Sequence, residues 1–375
     1  RPGLQQIEIG DHILLPVDGD QRRFQITGID DGVERRVEAR AVDLEIFDAA
    51  AAASEPLDAA TPLAAGPPAV EILDLAIARG PSPPLQYLAI HADPWPGRMA
   101  VWRRRGEAAF ELAGVTSRRA TIGVTRSNLR PGPVARWDRN NTLDVEMTGD
   151  LASVEDDGAL AGRTTLAVRG EDGAWEILAF ARAEIIRART WRLSRLLRGL
   201  GGESALAGRM VASGAPVVAL DNALFPLTGN VADIGAPVVI RVGPADRDHA
   251  DPAYIELTTV PTAKALKPYA PAQLRARRTP AGIEITFARR ARLDGDAWET
   301  IDPPLGEFAQ SYRVTLKKNG SAIRQWLVQQ PFAQYPAADE AADFGARQTR
   351  LDLAVAQISS EIGEGFEAAF SAPVS

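Results

Sequence analysis

Between Ile283 and Leu316 the chain alternates twice. Ile283, Ile285 and Phe287 are separated by Glu284 and Thr286, and Tyr312, Val314 and Leu316 by Arg313 and Thr315. A period of two places each apolar triplet on one side of a strand, so both segments bury their side chains by pairing into sheets with one covered face. The connection between them carries Arg289-Arg290, Asp294-Gly295-Asp296 and Pro303-Pro304, which is loop chemistry. Leu351, Leu353 and Val355 alternate in the same way, and a glycine-containing turn separates them from one more apolar run. Residues 268–375 therefore read as one β-sandwich.

Strand signals recur upstream. Ile13–Val17, Phe24–Ile29 and Val33–Leu44 form a first group, the last two joined across Asp30-Asp31-Gly32 as a hairpin. Residues 1–48 read as the end of a β-rich domain whose other strands precede Arg1. The start lacks Met, a basic leader region and a long apolar stretch, which reads as a piece of a longer chain. Residues 49–68 are rich in Ala and Pro, without an apolar face, and read as a linker. From 69 to 267 a second β-rich domain is expected, with 215–267 as a candidate sub-lobe. Its strands are Leu85–Ile90, Met99–Trp102, Ala120–Val124, Leu143–Met147, Thr164–Val168, Val217–Leu220, Val238–Val242 and Tyr254–Val260. The hairpin around Gly170-Glu171-Asp172-Gly173 is expected to set Leu166, Val168, Trp175 and Ile177 on one face. Apolar residues at both parities over 176–189 predict a central strand covered on both sides. Leu193–Leu200 and Ser204–Ser213 are the two helix candidates. The prolines at 268 and 271 mark the boundary of the terminal sandwich.

The chain has 375 residues, 45% hydrophobic, enough for a core in two or three domains. Its net charge of −7, from 42 basic and 49 acidic residues, argues against a general phosphate-backbone binder, and no sequence-specific nucleic acid binding is expected. No cysteine is present, which excludes disulfides, thiolate catalysis and cysteine metal sites. No run reaches the roughly 18 apolar residues of a membrane helix.

Candidate chemistry is sparse. His12, His91 and His249 stand in separate regions without metal or triad spacing, and each reads as an ordinary histidine. Asp246-Arg247-Asp248-His249-Ala250-Asp251 offers carboxylates but lacks the glycine and final Glu of a calcium loop, so it reads as a solvated turn. Asp156-Asp157 reads likewise. No catalytic residue, cofactor or metal is expected. Trp95, Trp137 and Trp298 lie in polar loop contexts and are candidates for stacking on a glycan or anchoring an interface, against the plainer reading that each plugs a loop onto its own domain. Trp102, Trp175 and Trp326 follow strand patterns and read as core. Arg187, Arg189, Arg192, Arg195 and Arg198 form the densest basic run; a phosphate site is weighed against an interface or solvated face, which is favoured.

The signatures PGLQQIEIGDHILL, DPWPGRMAVW, RWDRNNTLDVEM, LAGRTTLAVRGEDGAWEILAFARAEII, LSRLLRGLGG, RRARLDGDAWETIDPPLGEFAQSYRV and DFGARQTRLDLAVAQISSEIGEG resemble, in order, the C-terminal part of the large tail-tip (megatron, host-specificity) protein of gene transfer agents and siphophage-like tails. The resemblance implies a mainly β protein, with several β-rich domains in series ending in a fibronectin type III-like sandwich. It implies a structural baseplate hub protein, made in the bacterial cytoplasm and residing in a phage-like particle, that closes the tail tube and serves host attachment and DNA delivery. The implied partners are further copies of the chain, commonly a trimer, other baseplate and tail proteins, and a host surface glycan. Full-length relatives carry a glycosidase-resembling barrel upstream; nothing here matches it. Phe287 stands where such sandwiches place a tryptophan and Leu351 where many place the corner tyrosine, which puts the corner hydrogen bond in question. A carbohydrate-binding module is the second hypothesis and a glycoside hydrolase the third.

Overall fold

The computed structural model describes residues 7–17, 19–32, 34–42, 66–77, 84–293 and 303–375. The expected linker, up to residue 65, lies outside them, as does Trp298. The chain divides into two compact units, residues 1–63 and 64–375.

In the first unit β1 (His12–Val17), β2 (Asp20–Asp31) and β3 (Arg35–Ala41) form an antiparallel meander, with Ile26 buried at its centre. The predicted hairpin is the β2–β3 turn, and a bulge between Ile26 and Gly28 shifts its register.

The second unit opens with β4 (Ala69–Leu73), β5 (Gln86–His91), β6 (Met99–Arg105) and β7 (Glu111–Thr116). A barrel follows, made from β8 (Ile122–Thr125), β9 (Trp137–Asp138), β10 (Leu143–Met147), helix α1 (Asp156–Leu160), β11 (Thr165–Arg169), β12 (Trp175–Arg187), β13 (Thr190–Leu200) and β14 (Pro216–Ala219). The chain then returns through β15 (Phe225–Leu227), β16 (Val238–Pro244) and β17 (Ile255–Thr259). The barrel order is β8-β14-β11-β12-β13-β10, and β10 pairs with both β13 and β8, so the sheet closes on itself and loses its edges. Leu166, Val168, Leu178, Phe180, Leu193, Val145 and Val217 fill its interior. Its outer wall packs Trp175, Ile177 and Val218 against Leu73, Tyr87 and Ala89 of the sheet β15-β5-β4. The opposite face of that sheet, with Leu88, Ile90 and Phe225, meets Met99, Val101 and Ile240 of the sheet β17-β16-β6-β7. The stretch 215–267 is thus divided between the barrel and this sandwich. Strand β12 is covered on both sides only over residues 175–181; from Arg182 to Arg187 it runs beyond the cover, with Ile185 71% exposed, so the double-parity pattern over 176–189 overstates its burial.

Two expectations are corrected. Leu193–Leu200 is strand β13, and Ser204–Gly208 is a short 3-10 turn. The helix-like spacing of Leu193, Leu196, Leu197 and Leu200 arises from irregular backbone: Arg195 has φ 57° and Gly199 φ 61°, and the pairing slips between Ile177 and Ala179. These irregularities reverse the side-chain parity, so Leu193 and Leu196 face the same core. Second, Trp175 and Ile177 do not share a face with Leu166 and Val168. Arg169 pairs with Trp175 and Val168 with Glu176, which sends Trp175 and Ile177 to the outer wall. A one-residue difference in register moves every side chain to the other face.

The terminal sandwich comprises β18 (Ala272–Thr279), β19 (Gly282–Ala288), β20 (Tyr312–Lys318), β21 (Ser321–Val328), β22 (Phe332–Pro336), helix α2 (Ala337–Phe344), β23 (Arg350–Ser359) and β24 (Gly363–Pro373). Sheets β18-β19-β22 and β21-β20-β23-β24 reproduce the three-plus-four arrangement of a fibronectin type III domain. Its core includes the three alternating triplets read from the sequence. Phe287 fills the usual tryptophan position, edge-on to Tyr312 at 5.0 Å. Leu351 is buried without a hydroxyl. A different tyrosine supplies a lock: Tyr335 on β22 donates to Asp343 of α2 at 2.7 Å.

Helix α2 is tied down by two carboxylates. Glu340 accepts both Nη atoms of Arg278, at 2.8 and 2.9 Å, and the Gln348 backbone N–H. Asp343 accepts the Arg324 fork. Hydrogen bonds from Arg278 hold Glu340 below the usual carboxylate range, and those from Arg324, then Tyr335, do the same for Asp343. A carboxyl whose folded pKa is depressed stabilises the fold above its unfolded pKa, about 4, and loses that contribution as pH falls through the folded value. Thermal unfolding of the chain is expected to shift to lower temperature as pH drops from about 5 to about 2. Glu340→Gln should be less stable at pH 7 and flatter across this window; a variant matching the parent at pH 7 would contradict the lock. Among the described residues no helix is long and apolar enough to cross a membrane.

Candidate functional site

Within the segment Arg136-Trp137-Asp138-Arg139-Asn140-Asn141, Trp137 and Asp138 form β9 on the barrel, Trp137 opposite Leu197 and Asp138 opposite Leu196 of β13. Successive side chains of a strand leave in opposite directions. Asp138 turns inward and is 1% exposed, beside Arg198 at 1% and Glu176 at 3%. The Arg198 fork grips Glu176 bidentately, Nε to Oε1 at 2.6 Å and Nη2 to Oε2 at 2.8 Å. Its Nη1 donates to the Arg130 carbonyl at 3.0 Å and lies 3.6 Å from Asp138 Oδ2. Glu176 also accepts the Gly199 N–H at 3.2 Å.

Asp138 holds its own loop. Its Oδ1 accepts the backbone N–H groups of Asn140 and Asn141, and its Oδ2 accepts Asn141 Nδ2 at 2.7 Å. Asn141 Nδ2 reaches on to the Pro131 carbonyl at 3.1 Å. Buried charge is tolerated only when paired and hydrogen-bonded, and here each charged group has several partners. Gly132 is required by the close approach, because a Cβ there would sit 2.9 Å from Arg198 Nη1 and collide with Asp138 Oδ2. Ala135, at φ 57°, turns the chain immediately before Arg136; non-glycine residues in this region often mark functional sites.

The residues between these anchors face outward. Trp137 is half-buried, with the Arg195 guanidinium 4.8 Å from its ring centroid, and Arg195 is itself forked onto Asp156 at the start of α1. The Arg195 hydrogen bonds, with smaller contributions from the charges of Arg182 and Arg139, hold Asp156 below the usual carboxylate range. Pro133, Arg136, Trp137, Asp138, Arg139 and Asn140 line an open groove of about 450 Å³. Such an arrangement can stack a ring against the indole and pair an anion with guanidinium; it offers no nucleophile beside a base.

The remaining candidates are dispersed. Trp95 follows the cis Asp93–Pro94 peptide and packs against the sandwich core around Val101 and Ile240, with its indole N–H buried and unbonded among the described residues. Trp95 and Trp137 thus belong to different parts of the second unit. Trp175 is core, donating to the Ile72 carbonyl at 3.0 Å. Trp326 packs on the terminal core. Trp102 instead leaves β6 on the outer face, opposite in parity to Met99 and Val101, and stacks with His249 at 4.9 Å. The apolar residues around it in sequence conceal that alternation. Arg104 and Arg241 lie over Phe110 on the same cluster. His91 Nδ1 is 3.0 Å from the Ala120 carbonyl, and His12 is exposed on β1.

The basic run does not form one patch. Arg192 forks onto Asp144 at 2.8 and 2.9 Å, Arg195 onto Asp156 and Arg198 onto Glu176, while Arg189 reaches the Met147 carbonyl. These pairs are intramolecular. In the 246–251 turn Asp248 and Asp251 cap the backbone N–H groups of Ala250 and Ala253. Among the described residues no group of three His, Asp or Glu is placed to hold a metal. Sequence reasoning missed Arg136 and Arg139 as groove residues and Asp138, Glu176 and Arg198 as one cluster. The motif RWDRNN, in which residues of opposite parity carry different chemistry, held the available signal.

The family model described as Rcc01698-like, C-terminal, matches residues 120–218, which is the barrel and little else. That family is associated with gene transfer agents. No curated protein matches the chain. Among solved structures, the FN1-FN3 domains of chicken CNTN1 align at 9% identity and TM-score 0.19, covering 83% of this chain and 99% of that one. The glycoside hydrolase domain of Endo-D from Streptococcus pneumoniae aligns at 14% identity and TM-score 0.17, covering 72% of this chain and 37% of that one. Neither superposition reaches the level of a shared global fold.

Proposed function

We propose that this chain is a structural baseplate or tail-tip subunit of a phage-like particle of the gene transfer agent kind, closing the distal tail and contributing to host attachment and DNA delivery. The observation that carries the reading is the family match over 120–218, coinciding with a complete barrel in which separated signature motifs meet at one buried ionic cluster. A closed barrel held rigid from within, set in series with two sandwiches, is suited to bearing load and presenting surface. The reading includes assembly with further copies of the chain, as a trimer, and with other baseplate proteins; a symmetric ring would bury self-complementary faces. It assigns the chain no catalytic step, no cofactor and no metal.

Particles from a strain whose chain ends before residue 69 should lack complete tails in electron micrographs and deliver no DNA. Complete, infectious tails in that strain would refute the proposal. A second reading, a module that recognises envelope glycans, is favoured by the outward Trp137 and its groove.

A further inference from the structure

We infer that the β9 groove is a binding site for acidic saccharides, with Trp137 as the stacking platform and Arg136 and Arg139 as the anion-pairing rim. The inference deepens the glycan reading and stands whether or not the chain resides in a particle.

The charge balance is the first support. Although the chain carries −7 overall, Arg136 and Arg139 line this groove and Arg195 lies over its indole. Arg195 is satisfied by Asp156. Arg136 and Arg139 make no side-chain hydrogen bond or close ion pair with any described residue, and Arg139 acts on Asp156 only through its charge at longer range. Asp138, the one carboxylate among the lining residues, is turned inside and occupied by its loop. The surface therefore presents unmatched positive charge, and an anionic ligand would be drawn to it.

Preorganisation is the second support. Asp138 and Asn141 fix the backbone on both sides of Trp137 and Arg139, and Arg195 covers one indole face. A platform held before the ligand arrives loses little freedom on binding. The volume falls in the about 300–1,000 Å³ range of small-ligand sites. The composition of the lining selects the class. Guanidinium, asparagine and indole together match a ring with hydroxyls and a carboxylate.

The test uses the purified full chain and isothermal titration at low salt with tetragalacturonate as probe. Maltotetraose, oligo-dT and a glutamate oligomer serve as competitors in class. Tetragalacturonate is expected to bind, maltotetraose much more weakly. Trp137→Ala should weaken the acidic saccharide by about tenfold or more. Arg136→Glu with Arg139→Glu should abolish both binding and its salt dependence, while an unchanged unfolding temperature shows that the barrel persists. Trp137→Phe, which keeps a stacking ring, should retain most of the affinity. No binding of tetragalacturonate, equal binding of maltotetraose, tighter binding of oligo-dT or the glutamate oligomer, or full affinity in Trp137→Ala would each overturn the inference. Tail assembly could still depend on the chain in any of those outcomes, so failure here leaves the structural role standing.

Discussion

Arg198→Ala is expected to destabilise the barrel by about 3–5 kcal/mol, because it strands Glu176 and Asp138 as buried carboxylates without their cation. The lost fork holds β12 to β13 and, through Asp138 and the Arg130 carbonyl, fixes the segment that carries Trp137. Urea denaturation followed by tryptophan fluorescence measures the loss. The sharper comparison removes the whole cluster. Arg198→Met combined with Glu176→Leu and Asp138→Asn leaves no buried charge and is expected to regain most of the stability, since a buried ion cluster replaced by apolar groups is often neutral. Arg198→Ala within about 1 kcal/mol of the parent would mean that water reaches the carboxylates and that the cluster is not the lock described above.

Gly123→Val is expected to be comparably damaging through a different term. Gly123 lies on β8 opposite Met147 of β10, the strand that bridges β8 and β13 and so closes the barrel. A Cβ at this position would stand 2.5 Å from Met147 Sδ and 2.9 Å from the Glu146 carbonyl carbon, and would overlap the Glu146 oxygen. The overlap is with backbone, which cannot rotate away. Relief requires the seam to part, at a cost of about 3 kcal/mol or more, the upper end of overpacking penalties. Hydrogen exchange should then show lost protection on β8 and β10, with the terminal sandwich unaffected. Unchanged protection at the seam would disprove the close approach.

How far the sequence could be read varies along the chain. The terminal sandwich was legible because its covered faces alternate without interruption: each of Ile283, Ile285, Phe287, Tyr312, Val314 and Leu316 is in its core. The barrel was harder. Strands covered on both sides carry apolar residues at both parities, so their pattern does not state which face is which, and Trp175 and Ile177 were assigned to the wrong one. The irregular backbone at Arg195 and Gly199 produced a helical spacing in what is a strand. At the site, tryptophan in a polar context flagged Trp137, but nothing local distinguished Arg198, buried and paired, from Arg136, exposed and unmatched.

What the sequence settled unaided was the material: mainly strands, in successive modules, without thiols, ending in a sandwich whose alternation leaves one solution. The tertiary structure decided which strands meet. Closure of the barrel by β10, the enclosure of Arg198 with Glu176 and Asp138, and the outward presentation of Trp137 all depend on partners 20 to 70 residues apart. Periodicity reports how each strand divides its own faces; it carries no information about which distant strand will cover them, and that pairing fixes where every charge in the barrel ends.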